Sequence, residues 1–360
     1  MKYLTLIAMA IFFFQSCKES PNMEIHAVTL ELDKLPYKNL SEYHFFKGDI
    51  NNLEANEGVL LYKPITPLFT DYAWKSRFVW MPEGVQAKVN EEGIIEYQNG
   101  SVLIKNFYYP NDFAKPDDGK NIIETRLLVK SADKWEALSY VWNKEQTDAV
   151  LTKVGDVKPV NWKNETGRAM AINYVVPNKN QCKSCHQRDV VLKPIGTKAK
   201  SLNSKLKYSD GSTANQLEKW VAVGYLKSNN AIEKFPAVAD WTDENVPLEA
   251  RAKSYLEANC AHCHSREGQA RTTGLYLTTD ETDRSHLGFC KGPVAAGKGS
   301  GGRKVSIHPG DAKKSILTFR MKSTDPGIMM PELGRVTTHE EGVALIEAWI
   351  ESLEPEDCKQ

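Results

Sequence analysis

The stretch Cys182-Lys183-Ser184-Cys185-His186 returns, in the same spacing, as Cys260-Ala261-His262-Cys263-His264. C-x-x-C-H leaves a chain few options. Two thiols three positions apart can form thioethers with the two vinyl groups of one haem. The histidine directly after the second cysteine then lies beneath the ring, where its imidazole can take an axial position on iron. Two matches imply two covalently attached haem c groups. Cys182 and Cys185 with His186 as axial ligand would hold the first, and Cys260 and Cys263 with His264 the second. A four-cysteine zinc ribbon also uses paired C-x-x-C, but its knuckles stand roughly 15–20 residues apart. Neither a ribbon nor a disulfide requires a histidine at the same place after both pairs.

The N-terminus agrees with export, which c-type haem attachment needs in bacteria. Residues 1–17 read as a lipoprotein signal peptide: Lys2 supplies the positive start, and Leu4 to Phe14 is an apolar run too short to span a bilayer. Phe14-Gln15-Ser16-Cys17 resembles a lipobox, which implies cleavage before Cys17 and lipidation of that residue. The expected location is a lipid anchor on a bacterial membrane, facing the periplasm or the cell surface; an ordinary secreted protein is the other reading. Lys+Arg and Asp+Glu are both 46. That balance argues against nucleic acid as a partner and leaves redox proteins as the expected ones.

With 360 residues the chain has room for two or three domains. Residues 18–50 carry little periodicity and read as a tether. From 51 to 178 the pattern is β. Short runs rich in β-branched and aromatic residues stand at Leu60–Lys63, Arg77–Met81, Ile94–Tyr97, Val102–Tyr109, Ile122–Val129, Trp135–Trp142 and Met170–Val176. Asn99-Gly100 suggests a hairpin turn between the third and fourth runs, and Ala132-Asp133 another before Trp135. An antiparallel β-sandwich is the expected fold. Its aromatic residues, among them Trp80, Phe107, Tyr108, Trp135, Tyr140 and Trp142, serve packing in this reading, with a carbohydrate-binding face as the alternative.

After Pro177 the pattern turns helical. Residues 179–245 form a first haem-binding helical region, with a helix capped at Thr213 and ended by Gly224. Pro247 precedes a helix over Leu248–Ala258 that leads into Cys260. The last helix starts near Thr338, with Thr338 and Glu341 in capping-box spacing, and carries the stripe Val343, Ile346, Trp349, Ile350 and Leu353. Residues 355–360 are a tail. Gly292 to Gly299 nearly spells a phosphate-binding loop, but Gly299 stands where Ser or Thr would be needed. Cys290 and Cys358 are free for a disulfide in an oxidising compartment.

The order helix, C-x-x-C-H, loops, Met329-Met330-Pro331 and C-terminal amphipathic helix resembles the cytochrome c fold over residues 246–354. The resemblance implies that the two helices cross, with Tyr255 and Trp349 as candidate crossing contacts. It also implies that the methionine before proline supplies a sixth iron ligand, which maps to Met330, with Met329 as its rival. More broadly, the chain resembles an uncharacterised family of dihaem c-type cytochrome lipoproteins with a β-rich N-terminal domain. The residues that carry this are Pro67 to Ala73, Glu124 to Leu128, Pro177 to Cys182, Asn215 to Leu217 and Asn259 to His264. No Met-Pro loop follows His186, so Met170, Met321, His286 and His308 all stay open as the first haem's second ligand, as does none.

Electron transfer without catalysis is the leading expectation: single electrons would pass between a redox donor and an acceptor, so the chain is more an electron carrier than an enzyme. A dihaem peroxidase or small-molecule oxidase, using an open first haem, is the enzymatic alternative. A partner-binding module with attached haems is the third reading.

Overall fold

The computed structural model describes residues 26–189, 191–227 and 235–359. The signal segment, Cys17, the start of the tether and part of the 229–245 connector lie outside the described residues. Fourteen strands and six α-helices are present among them: β1 Leu60–Tyr62, β2 Trp74–Trp80, β3 Lys88–Val89, β4 Ile95–Glu96, β5 Val102–Pro110, β6 Lys120–Ser131, β7 Lys134–Trp142, β8 Ala149–Thr152, β9 Asp156–Lys163, β10 Ala169–Val176, α1 Lys179–His186, β11 Gln187–Arg188, β12 Val191–Leu192, α2 Ala199–Leu202, β13 Lys205–Lys207, β14 Thr213–Asn215, α3 Gln216–Ala222, α4 Leu248–Asn259, α5 Ile316–Lys322 and α6 Glu340–Glu351. No helix among the described residues is long and apolar enough to cross a membrane.

In place of two large facing sheets, these residues hold one six-stranded antiparallel sheet in the order β1-β2-β5-β6-β7-β8, with four two-stranded sheets around it. Side chains alternate between the two faces of a strand, so each face has its own cover. Phe78, Ile104, Leu127, Leu138 and Tyr140 point to one face. There they meet Leu40, Tyr43, Phe45, Phe46 and Leu53. The segment expected to be a tether is therefore packed from residue 26 onward. Its aromatic residues lack a strand or helix period, which is why the pattern hid it, yet Tyr43 is fully buried and its hydroxyl lies 2.8 Å from that of Tyr140.

The opposite face is covered in two pieces. At one end Val79, Leu103 and Trp135 pack with Leu202, Leu217 and Trp220 of α2 and α3. At the other end Phe107 and Tyr109 pack with Trp162, Tyr174 and Val176 of the β9–β10 hairpin. Between these clusters the face is open.

Several local expectations shift. Asn99-Gly100 does not join β4 to β5: β4 pairs with β3, and β5 pairs with β2. Asn99 instead accepts from the Asp133 N–H at 2.8 Å and so braces the β6–β7 turn, where Ala132 and Asp133 both take positive φ. The third helix is capped by Asn215, whose side chain accepts from Leu217 N, while Thr213 lies in β14. Gly224 does close it, with φ +78° and the Tyr225 N–H returning to the Trp220 carbonyl. The last helix has His339 at its N-cap and no capping box, because Glu341 accepts from the Tyr72 hydroxyl at 2.9 Å and Thr338 donates to the Lys322 carbonyl.

A third core joins α4 and α6 through Tyr255, Leu256, Val343, Ile346, Trp349 and Ile350. At the helix contact Tyr255 meets Gly342, where any Cβ would collide with the tyrosine ring. Trp349 instead packs edge-on against Phe289, with ring centroids 5.9 Å apart. Cys290 and Cys358 form a disulfide, Cα to Cα 5.0 Å, that ties the C-terminal tail to the loop before it. Gly342→Ala is expected to destabilise the protein by about 1–3 kcal/mol through overpacking against Tyr255. A denaturant titration reads this as a lower midpoint with unchanged slope.

Candidate functional site

The first C-x-x-C-H lies on α1. Asn178 caps that helix by accepting from Asn180 N and Gln181 N, and the Gln181 side chain returns to Asn178 N. Cys182, Cys185 and His186 thus occupy one rigid two-turn helix. The second motif begins as α4 ends and continues as a hydrogen-bonded turn, with Cys263 N and His264 N both reaching the Cys260 carbonyl at 3.1 and 2.9 Å. Gly268 is needed just beyond it, since a Cβ there would run into the Cys263 backbone carbonyl.

Both motifs meet at one cavity of about 390 Å³. Cys182, Cys185 and His186 line it from α1. Cys260 and His262 line it from the second motif, and Met321, Met329, Met330 and Pro331 from the C-terminal part. Cys263 and His264 are not on that lining. Cys263 is nonetheless close to the first motif: its thiol lies 3.8 Å from the Ser184 carbonyl and beside the Cys185 thiol. That contact pulls the Cys185 thiol down and pushes the Cys263 thiol up. Burial raises the other two, Cys260 to about 12.

The histidines are poised as neutral imidazoles. Burial lowers His186 to about 3, opposed by the Lys193 carbonyl, which lies 3.0 Å from Nδ1. With Nδ1–H donating there, Nε2 is the free nitrogen, the tautomer an axial ligand requires. Burial likewise lowers His264 to about 4. Its Nδ1 is buried without a partner at hydrogen-bond distance.

The methionine loop is held by Arg335. This buried guanidinium donates to the carbonyls of Met330 at 2.9 Å, Ser323 at 2.8 Å, Arg320 at 3.3 Å and Thr337 at 2.9 Å. Asp71, from the loop before β2, accepts from Val336 N, Thr337 N and Thr337 Oγ1 at 2.7–2.8 Å. Two residues earlier, Phe69 N donates to Asn259 Oδ1 at 2.7 Å, and the Phe69 ring stacks on His339 at 4.1 Å. The Pro67–Ala73 stretch is a clasp between the sheet, the second motif and the methionine loop.

Of the four ligands left open for the first motif, only Met321 lines the cavity. Met170 packs against the β9–β10 cluster, His286 sits beside Tyr276, Glu281 and Arg266, and His308 turns to the Pro309 carbonyl. Sequence reasoning passed over His262. It fills an x position of the second motif, yet it is buried with Nδ1 unpartnered among the described residues, lines the cavity and helps draw the Cys185 thiol pKa down. Nothing in C-x-x-C-H marks its x residues, so the sequence held no signal for it.

The donor set fits two haems. Cys182, Cys185, His186 and Cys260 line one cavity together with Met321, Met329 and Met330, and Cys263 and His264 follow in the same turn just off that lining. Among the described residues no three His, Cys, Asp or Glu side chains are gathered to hold a metal ion, whereas haem iron asks the chain only for axial ligands. No protein-family model, no curated protein and no solved structure matches the chain.

A buried ion cluster braces the site from behind. Glu257 of α4 accepts from Lys198 at 2.9 Å, Lys200 at 2.7 Å and Thr279 Oγ1 at 2.6 Å. Burial works to raise its carboxyl, but the two lysines carry it down to about 2 from 4.5. A depressed carboxyl stabilises the fold above its unfolded pKa, and the contribution is lost as pH falls from about 4.5 to about 2. Glu257→Gln should therefore cost about 1.5–3 kcal/mol at pH 7, and the gap from wild type should close as pH approaches 2. Thermal melts across that range check both statements.

Proposed function

We propose that the protein is an exported dihaem c-type cytochrome that passes single electrons between a redox donor and an acceptor. The observation that carries this is the single cavity that receives thiols from both C-x-x-C-H motifs, with His186, whose Nδ1 faces the Lys193 carbonyl, and Met330 on the same lining. Haem, when bound, supplies one-electron chemistry at iron.

The chain's own groups do the rest. Cys182, Cys185, Cys260 and Cys263 anchor the two haems, and His186 and His264 present neutral nitrogens. Met330 gives the second site a soft sulfur that favours the ferrous state, and Arg335 holds its carbonyl in place. Apolar walls from Leu103, Leu128 and Ala137 keep water out. Residues 246–354 act as a cytochrome c-like unit, in which α4 and α6 cross at Gly342. The β part that precedes them is a packed module over which the first motif lies. Export and lipidation at Cys17 belong to the same reading. The Cys290–Cys358 disulfide supports an oxidising compartment.

The test is a pyridine haemochrome assay and an optical and EPR redox titration of the matured protein. Two haems per chain, two one-electron waves and no change on adding hydrogen peroxide are expected. A high-spin population that binds peroxide and turns over an electron donor would replace the carrier with an enzyme, and a chain without haem would end the reading altogether. Met330→Ala should abolish the weak red charge-transfer band of sulfur-ligated ferric haem; persistence of the band in that variant would move the ligand to Met329 or Met321.

A further inference from the structure

The open middle of the sheet face carries charge where the clusters on either side carry apolar side chains. Arg77 of β2 stands opposite Lys105 of β5, Lys105 opposite Arg126 of β6, and Arg126 opposite Ser139 of β7. All four lie on one face, and all line the cavity. Cations directly opposite one another on neighbouring strands repel, and burial makes the repulsion worse.

Only one end of the row is neutralised. Arg126 pairs with Glu124, which is fully buried and also accepts from the Tyr174 hydroxyl at 2.7 Å. Lys105 has no acceptor among the described residues, and its ammonium rests 4.7 Å from the centre of the Phe107 ring. Arg77 is 6% exposed, and its guanidinium makes no hydrogen bond or ion pair among the described residues. A guanidinium this buried is retained in proteins with a carboxylate or phosphate on it.

The row has a direction. Its Ser139 end and Cys182 line the same cavity, and the Ser139 hydroxyl is near enough to draw the Cys182 thiol pKa down against the burial that raises it. His186 lies within the field of Lys105 and Arg126. From the thiol end to Arg77 the row crosses three strand spacings, about 14 Å at ~4.8 Å each. That is the scale of a porphyrin measured from its vinyl edge to its extended propionates.

We infer that Arg77, with Lys105 beside it, seats the propionate carboxylates of the haem attached through Cys182 and Cys185. This rests on the dihaem reading. It would make the β-sheet one wall of the first haem site, and the N-terminal half of the chain would then be part of the redox centre.

The experiment is spectroelectrochemistry of the matured full-length protein, as wild type, Arg77→Gln, Arg77→Lys and Lys105→Met, with haem content measured on each. The second haem's potential is identified by its methionine band. Removing a cation beside the propionates stabilises the ferric state, so Arg77→Gln should lower the first haem's potential and leave the second's in place. Arg77→Lys should restore most of the shift, and Lys105→Met should lower the same potential if Arg77→Gln does not accumulate. Variants that hold two haems with both potentials unchanged would overturn the assignment. So would equal shifts at both haems, or a wild-type first haem whose potential responds to added inorganic phosphate, since the seat would then be open to a free anion. Wild type without haem would instead indict the underlying reading, and the haemochrome assay separates the two failures.

Discussion

The Asp71 carboxylate is the contact on which the arrangement of this molecule depends. It is buried, and it satisfies the backbone of the methionine loop at Val336 and Thr337. Burial raises its pKa, while the two N–H groups and the Thr337 hydroxyl oppose that. Charged acceptors of this kind are worth more than neutral ones and cost more to lose. Together with the Phe69–Asn259 bond it joins three parts of the chain that lie far apart in sequence. Without the clasp, the sheet and the C-terminal helices would share little polar contact near the cavity.

Other polar residues around the cavity make joints of the same kind. Asn178 caps the helix of the first motif. Gln216 exchanges two hydrogen bonds with the backbone of Lys63, at 2.7 and 2.9 Å, and so fixes α3 to β1. Glu124 and Arg126 hold the β6 end of the cationic row. Asn259 receives the Phe69 N–H directly before Cys260. Gln216, Glu124 and Asn259 are buried, Asn178 and Arg126 half-buried, and removal of one member of each joint leaves the other unsatisfied. Their shared effect is to hold α1, the start of the second motif and the methionine loop around one cavity.

Much of the secondary structure was legible, because period-two runs such as Val102 to Tyr109 and the 3.6-period stripe from Val343 to Ile350 report their own burial. Failures came where polar tertiary partners compete with local rules. Glu341 has the spacing of a capping box but bonds Tyr72, and Thr213 has a capping side chain but Asn215 sits closer to the first free N–H groups. Residues 26–56 have no period at all, yet they bury Tyr43 and Phe45 against the sheet, since an irregular segment can pack as well as a regular one once a flat apolar face is present.

Local spacing by itself determined the chemistry on offer: thiols at i and i+3 with an adjacent histidine, twice, and a methionine before proline. These are properties of consecutive residues, so no fold is needed to read them. Only the tertiary structure decided that both motifs open onto one cavity, that His262 turns into it, that Gly342 is where Tyr255 meets α6, and that Arg77, Lys105 and Arg126 line up across three strands. Each of these depends on strand register or helix crossing between segments tens to hundreds of residues apart. A one-residue slip of β5 against β2 would send Lys105 to the other face, and nothing in the local sequence around either residue records that pairing.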